Sequence, residues 1–237
     1  MLFFTACRPQ THFVKADNKY HEILDLTEED SVINDIIAPY KKDIGDEMKK
    51  VIGQVAIMFT KEKPESTLGN WAADLTYTQC DEYLNLKIDF AVLNYGGLRI
   101  PSLPKGNVTK GKIYELMPFE NYLVLVEMKG SELPLLFDHI AKKGGWPVSN
   151  HVKMKIHQNN AVDVRINNRK VENNRIYRFA TIDYIANGGD KCTFLKDKKK
   201  VATGVLFRDA IIEFIENETK AGRNLDAKLD DRVIILK

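Results

Sequence analysis

Ile88-Asp-Phe-Ala-Val-Leu93 is a short, almost wholly apolar run that leads without a break into Asn94-Tyr-Gly-Gly-Leu-Arg99. A run of this kind reads as a strand covered on both faces, and it is expected over Lys87 to Leu93. The glycine pair at its end lets the backbone turn sharply and approach whatever lies beyond the strand. Working outward, Ser66 opens a helix with Leu68, Trp71, Ala72, Leu75 and Tyr83 on one face. Thr109 caps a short helix through Leu116 that stops at Pro118. Tyr122 to Met128 reads as a strand, and Ser131 opens a helix to Lys143 with Pro134 in its first turn. Strands follow over Val152 to His157, Val162 to Ile166 and Ile176 to Asp183, with asparagine pairs as turns between them. A last amphipathic helix over Val205 to Glu218 and a strand over Arg232 to Leu236 close the chain. Upstream, T-E-E-D from Thr27 offers a capping box to a first helix that Pro39 kinks or splits, and Val51 to Phe59 reads as one strand. The mixture predicts an α/β fold with mixed sheets.

The 237 residues are 44% hydrophobic and 29% charged, with a formal charge of +2. So small an excess argues against nucleic-acid binding, and KDKKK from Lys196 reads as a solvated loop. No run of apolar residues is long enough for a spanning helix. Leu2 to Cys7 resembles the end of a bacterial lipoprotein signal. Residues 1–25 are therefore expected to be a truncated signal remnant and tether with lipidation at Cys7, and residues 26–237 the folded domain. That would place the domain at a bacterial cell envelope, touching membrane only through the anchor. Cys80 and Cys192 are expected to be free buried thiols rather than a bridge, and no Cys/His cluster suggests zinc.

Candidate site residues cluster in three segments. Tyr184 ends a strand and leads into Asn187-Gly188-Gly189-Asp190, while Phe119 sits between Pro118 and Glu120. Each ring alone is a core candidate; together they could clamp a flat base, a contact worth about 1–3 kcal/mol. The amide of Asn94 could read a purine edge, Arg99 could meet a phosphate or sugar oxygen, and Asp190 suits the paired hydroxyls of a ribose. Gly96, Gly97, Asn187 and Gly188 supply the close turns. The competing reading is an Arg99–Asp190 salt bridge that braces two loops.

ESTLGNWAADL from Glu65, VLNYGGLR from Val92, YELMPFENYLVLVEMKG from Tyr114, PVSN from Pro147 and YRFATIDYIANGGD from Tyr177 occur in this order. Together they resemble the C-terminal domain of the 5'-nucleotidase family. The resemblance implies a four-layer α-β-β-α sandwich, with the base held between aromatics at Phe119 and Tyr184 and polar contacts from Asn94, Arg99 and Asp190. Several positions depart from the pattern. Tyr184 replaces the usual phenylalanine, no arginine precedes Glu65, Tyr95 stands where glycine is common, and Asn150 replaces a glycine and is expected to narrow the base pocket. In this family hydrolysis belongs to a metallophosphatase domain with D-x-H and G-N-H-E signatures, and this sequence carries neither. None of its five histidines stands at ligand spacing with another; His139 reads as packing, and His151 and His157 as exposed on one strand face. The expectation is a nucleoside- or nucleotide-recognition subunit of a split 5'-nucleotidase. A separate metallophosphatase polypeptide would supply the divalent metal pair, leaving no catalytic residue, metal site or cofactor in this chain. The alternatives are a stand-alone nucleoside-binding surface lipoprotein and a vestigial interaction module.

Overall fold

A computed structural model describes residues 30–236. They fall in two units divided between Lys41 and Lys42, the second being the large compact body that runs to the C-terminus. Cys7 and most of the expected capping box lie outside the described residues. The carboxylate of Asp30 accepts from the backbone N–H groups of Val32 and Ile33 at the start of α1 (Ser31–Lys49), and Pro39 lies within that helix without ending it.

The order continues with β1 (Val51–Val55), β2 (Phe59–Thr60), α2 (Thr67–Leu84), β3 (Phe90–Ala91), β4 (Ser102–Leu103), β5 (Gly106–Thr109) and α3 (Lys110–Leu116). Next come β6 (Tyr122–Lys129), α4 (Leu133–Lys142), β7 (Val152–His157), β8 (Asn160–Ile166), β9 (Arg169–Lys170) and β10 (Ile176–Ile182). The short α5 (Asp183–Ala186), then β11 (Lys200–Leu206), α6 (Phe207–Lys220) and β12 (Val233–Ile235) complete it. Two four-stranded sheets, ordered β11-β6-β10-β3 and β12-β7-β8-β9, carry the architecture, with β1-β5 and β2-β4 as small additional pairs. Both large sheets are mixed: β10 runs parallel to β3 and antiparallel to β6, and β12 runs parallel to β7. With α2 and α4 they make four layers of helix and sheet, the fold class expected from the sequence.

Side-chain alternation explains how the layers join. Ala91, Leu125 and Ala180 cluster with Cys80 of α2, so small residues on that face let the helix lie close. On neighbouring residues, Phe90 stacks on Phe179 at 5.3 Å between ring centroids and meets Phe137 of α4 at 5.7 Å. Burying each such ring is worth about 1.5–3 kcal/mol relative to leaving it in water.

Three expectations change. Val51 to Phe59 is two strands, because the N–H of Ala56 leaves the β1-β5 ladder to bond the Leu225 carbonyl at 2.8 Å. The IDFAVL run keeps only two residues as formal strand, although Asp89 and Val92 also bond the carbonyls of Arg178 and Ala180 in β10. The last lysine of KDKKK opens β11, an edge strand on β6, where charged side chains can remain solvated while the backbone pairs.

Candidate functional site

Because β3 and β10 are parallel, their carboxyl ends lie side by side, delivering Asn94 and Tyr184 to one end of the sheet. β6 runs the other way, and Ile182 pairs with Leu123. The segment before β6, with Phe119 and Asn121, therefore enters at that same end. The result is a cleft of about 280 Å³. Asn94, Gly96, Gly97, Arg99, Phe119, Tyr184 and Asp190 line it, joined by Asn121 and Ile182. Its volume is at the small end of the roughly 300–1,000 Å³ common for ligand sites.

Neither ring is in the core. Phe119 is 41% exposed and Tyr184 46% exposed, and both line the cleft. No ring contact joins them among the described residues. The Arg99 guanidinium lies 5.7 Å from the Phe119 ring centroid and donates to the Gly96 carbonyl at 3.3 Å. No ion pair links Arg99 to Asp190 among the described residues. Asp190 is instead held by neutral partners: Asn94 Nδ2 donates to its Oδ2 at 2.5 Å and the Tyr184 hydroxyl to its Oδ1 at 3.3 Å. Its own N–H donates to the Tyr184 phenol oxygen at 3.2 Å.

Local sequence accounts for the turn. A Cβ on Gly189 would sit 2.5 Å from the Tyr184 carbonyl and 2.6 Å from its ring, so only glycine lets the ring fold over the loop. A Cβ on Gly97 would stand 3.0 Å from Asn94 Oδ1. Gly188 and Asp190 both take left-handed backbone, with φ of 95° and 49°.

Three expected site residues lie elsewhere. Asn150 lines a different cleft, its N–H bonded to Asp74 Oδ1 at 2.8 Å, so it does not narrow this one. Asn187 and Gly188 shape the loop without lining the cleft; Gly188 lies under the Lys196 side chain. Tyr95 adds no bulk either, being buried with its hydroxyl 3.1 Å from Ser66 Oγ, and burial pushes its phenol up to about 12. Asn121 escaped the sequence reading although it stands two positions after Phe119; no hydrogen bond engages its side chain among the described residues. Ile182 escaped because a strand's last apolar residue looks like core.

The 5'-nucleotidase, C-terminal domain family matches residues 51–197, more than half of the chain. The chain belongs to this family. Within it, the domain is 28% identical over 136 residues to Protein UshA of Salmonella pullorum, covering 55% of this chain and 24% of that protein. It is 32% identical over 108 residues to a 5'-nucleotidase of Vibrio parahaemolyticus, covering 44% of this chain and 19% of that protein. The crystal structure of a 5'-nucleotidase precursor from Thermus thermophilus superposes with a TM-score of 0.73 at 26% identity, over 88% of this chain and 44% of that one. The 5'-nucleotidase C-terminal domain here thus spans about a quarter of the length of the curated relatives it matches.

The landmark ESTLGN of this 5'-nucleotidase C-terminal domain turns out to be a structural clasp. Glu65 accepts from the Asn70 amide and from the backbone N–H groups of Asp230 and Arg232, tying the C-terminal segment to α2. Arg232 forks onto Asp74 at 2.8 and 2.7 Å and also donates to the Val148 carbonyl. His151 is not an exposed strand residue: it stacks on Tyr77 at 3.9 Å and bonds Ser149. Cys80 and Cys192 are free and buried, and burial pushes both thiols up to about 12. Among the described residues, no group of three or more His, Cys, Asp or Glu side chains is placed to hold a metal ion. The metal pair implied by the family has no fitting donor set there, and no chemical step is assigned to it on these residues.

Proposed function

We propose that this domain binds nucleosides and nucleotides, gripping the base between Phe119 and Tyr184. The observation that carries this reading is the pair of exposed rings on one cleft, with a carboxylate fixed beside one and a guanidinium beside the other. The Asp190 oxygens, each already oriented by one donor, keep lone pairs for two sugar hydroxyls. Asn94 is 3% exposed with its amide nitrogen committed to Asp190, so reading of the base edge passes to Asn121, whose amide is uncommitted beside Phe119. Arg99 uses one donor on Gly96 and keeps the rest of its fork for an anionic phosphate.

In this reading the domain is the recognition half of a split 5'-nucleotidase acting in nucleotide catabolism at the bacterial envelope. A separate metallophosphatase polypeptide carries the hydrolysis. Fixing base and ribose here confines the phosphate of the same molecule and lends remote binding energy to the reaction. A relative bearing the name 5'-nucleotidase supports the substrate class. The test is calorimetry with adenosine, 2',3'-dideoxyadenosine and AMP. Adenosine should bind, the dideoxy compound at least about tenfold more weakly, as loss of hydrogen bonds to a charged group implies, and AMP at least as well as adenosine. Equal binding of the first two would remove Asp190 from the sugar, and no binding of any would end the proposal.

A further inference from the structure

The helix α1 has no buried residue. In its N-terminal half Val32, Ile33, Ile36, Ile37 and Tyr40 are all exposed, by 41 to 69%. Ile33, Ile36, Ile37 and Tyr40 stand at i, i+3, i+4 and i+7, so they share one face, and Asp35 and Lys42 fall on the opposite one. A contiguous apolar stripe of this kind marks a surface for a partner, where single exposed side chains would not.

The order of the side chains says which partner fits. Ile33, Ile36, Ile37 and Tyr40 are separated by three, one and three positions, a spacing that reads the same in both directions. Two copies of α1 laid antiparallel about a two-fold axis between Ile36 and Ile37 therefore match side chain to side chain. Ile36 meets Ile37 of the second copy and Ile33 meets its Tyr40, each contact being made twice, as a self-complementary interface requires. The same axis brings Lys41 level with Val32 of the second copy, within a turn of its Asp30. Asp30 Oδ1 is committed to the N–H groups of Val32 and Ile33, at 2.9 and 3.2 Å, which leaves Oδ2 for an ammonium. No hydrogen bond or ion pair engages Lys41 among the described residues. Opposite charges thus border the apolar contact at both ends. A lipid surface fits less well: α1 carries Asp35, Asp43, Asp46 and Glu47 against Lys41, Lys42 and Lys49, whereas helices that lie on membranes are rich in basic residues on the polar face.

We propose that this face of α1 is a self-association surface, on which α1 pairs antiparallel with α1 of a second copy of the chain. No residue of the nucleoside cleft takes part, so the pairing stands apart from the ligand reading. One helix face per copy is at the small end of stable contacts, and the dimer is expected to form at about micromolar concentrations.

The experiment is analytical ultracentrifugation of the full chain from about 1 to 100 μM. Wild type should pass from monomer to dimer over this range. Ile36→Lys and Ile37→Glu should each weaken association at least about tenfold, because each sets an unpaired charge against an apolar side chain. An equimolar mixture of the two variants should associate again: the new charges oppose each other on one side of the axis, while Ile37 of the first variant meets Ile36 of the second on the other. Lys42→Glu, on the opposite face, should associate like wild type. All four proteins should share one thermal unfolding midpoint when monomeric, which shows that the variants are folded. Wild type that stays monomeric to about 100 μM, a dimer indifferent to Ile36→Lys, or a mixture that stays monomeric would overturn the pairing. A monomer that instead floats with phosphatidylglycerol–phosphatidylcholine vesicles, and ceases to do so on Ile37→Glu, would overturn it in favour of a lipid surface.

Discussion

Asn94 Nδ2 donates to Asp190 Oδ2 at 2.5 Å, a bond between residues 96 positions apart that joins the glycine turn after β3 to the loop after β10. Asn94 is thereby a holder of the carboxylate rather than a reader of the ligand. Asn94→Ala should leave Asp190 in place but less restrained, weakening adenosine binding about tenfold, as expected for one lost bond to a charged group. Asn94→Asp should do more harm, because two carboxylates would meet at hydrogen-bond distance and one must take up a proton. Calorimetry on both variants above and below about pH 6 would show it: the aspartate variant should recover affinity on acidification and the alanine variant should not.

Gly189→Ala tests the fold of the loop itself. The new Cβ would lie 2.5 Å from the Tyr184 carbonyl and 2.6 Å from the ring, so the ring must swing off the loop. Adenosine affinity should drop by about the 1–3 kcal/mol of one stacking face. A variant that binds normally would mean the ring position is irrelevant.

Arg232→Met should behave in the opposite way. The Arg232 side chain is 4% exposed and spans Asp74, Asp230 and the Val148 carbonyl, lining a cleft that shares no residue with the one between Phe119 and Tyr184. Breaking a buried pair costs roughly 3–5 kcal/mol, and about 3 is expected here because Asp74 is 37% exposed. Urea unfolding should show the loss, with adenosine affinity retained in the folded fraction.

Stability should also depend on pH near neutrality. Burial holds both His139 and His151 below 6.5, so below that pH the unfolded chain binds protons that the native state refuses. Their contribution is complete above 6.5 and is lost as the pH falls from there to their lowered values. Urea midpoints measured at about pH 7.5 and 5.5 should therefore decline, and His151→Gln should flatten the slope. Glu127, bonded to Arg178, and Glu132, bonded to Lys198, are held below 4.5 and act only in a lower window.

Most long elements could be read from the sequence because their signals are local. Ser66 caps α2 as expected, accepting from the Gly69 N–H at 3.0 Å, and Thr109 caps α3. The features missed are those set by distant partners. Ala56 leaves its strand for a carbonyl at Leu225, and β11 exists only because β6 offers an open edge. The cleft was legible as two glycine turns and two rings, since turn chemistry is short-range. The commitment of Asn94 to Asp190 was not, because it depends on which strands run parallel. Asn150 misled for the same reason: its neighbour in space is Asp74 of α2, not the ring of Phe119.

The central claim is that a flat base lies between the rings of Phe119 and Tyr184, and titration calorimetry of adenosine into wild type, Phe119→Ala and Tyr184→Ala tests it most directly. Each alanine should weaken binding by about 1–3 kcal/mol while the unfolding midpoint stays close to wild type. Adenosine affinity unchanged in both variants would contradict the account.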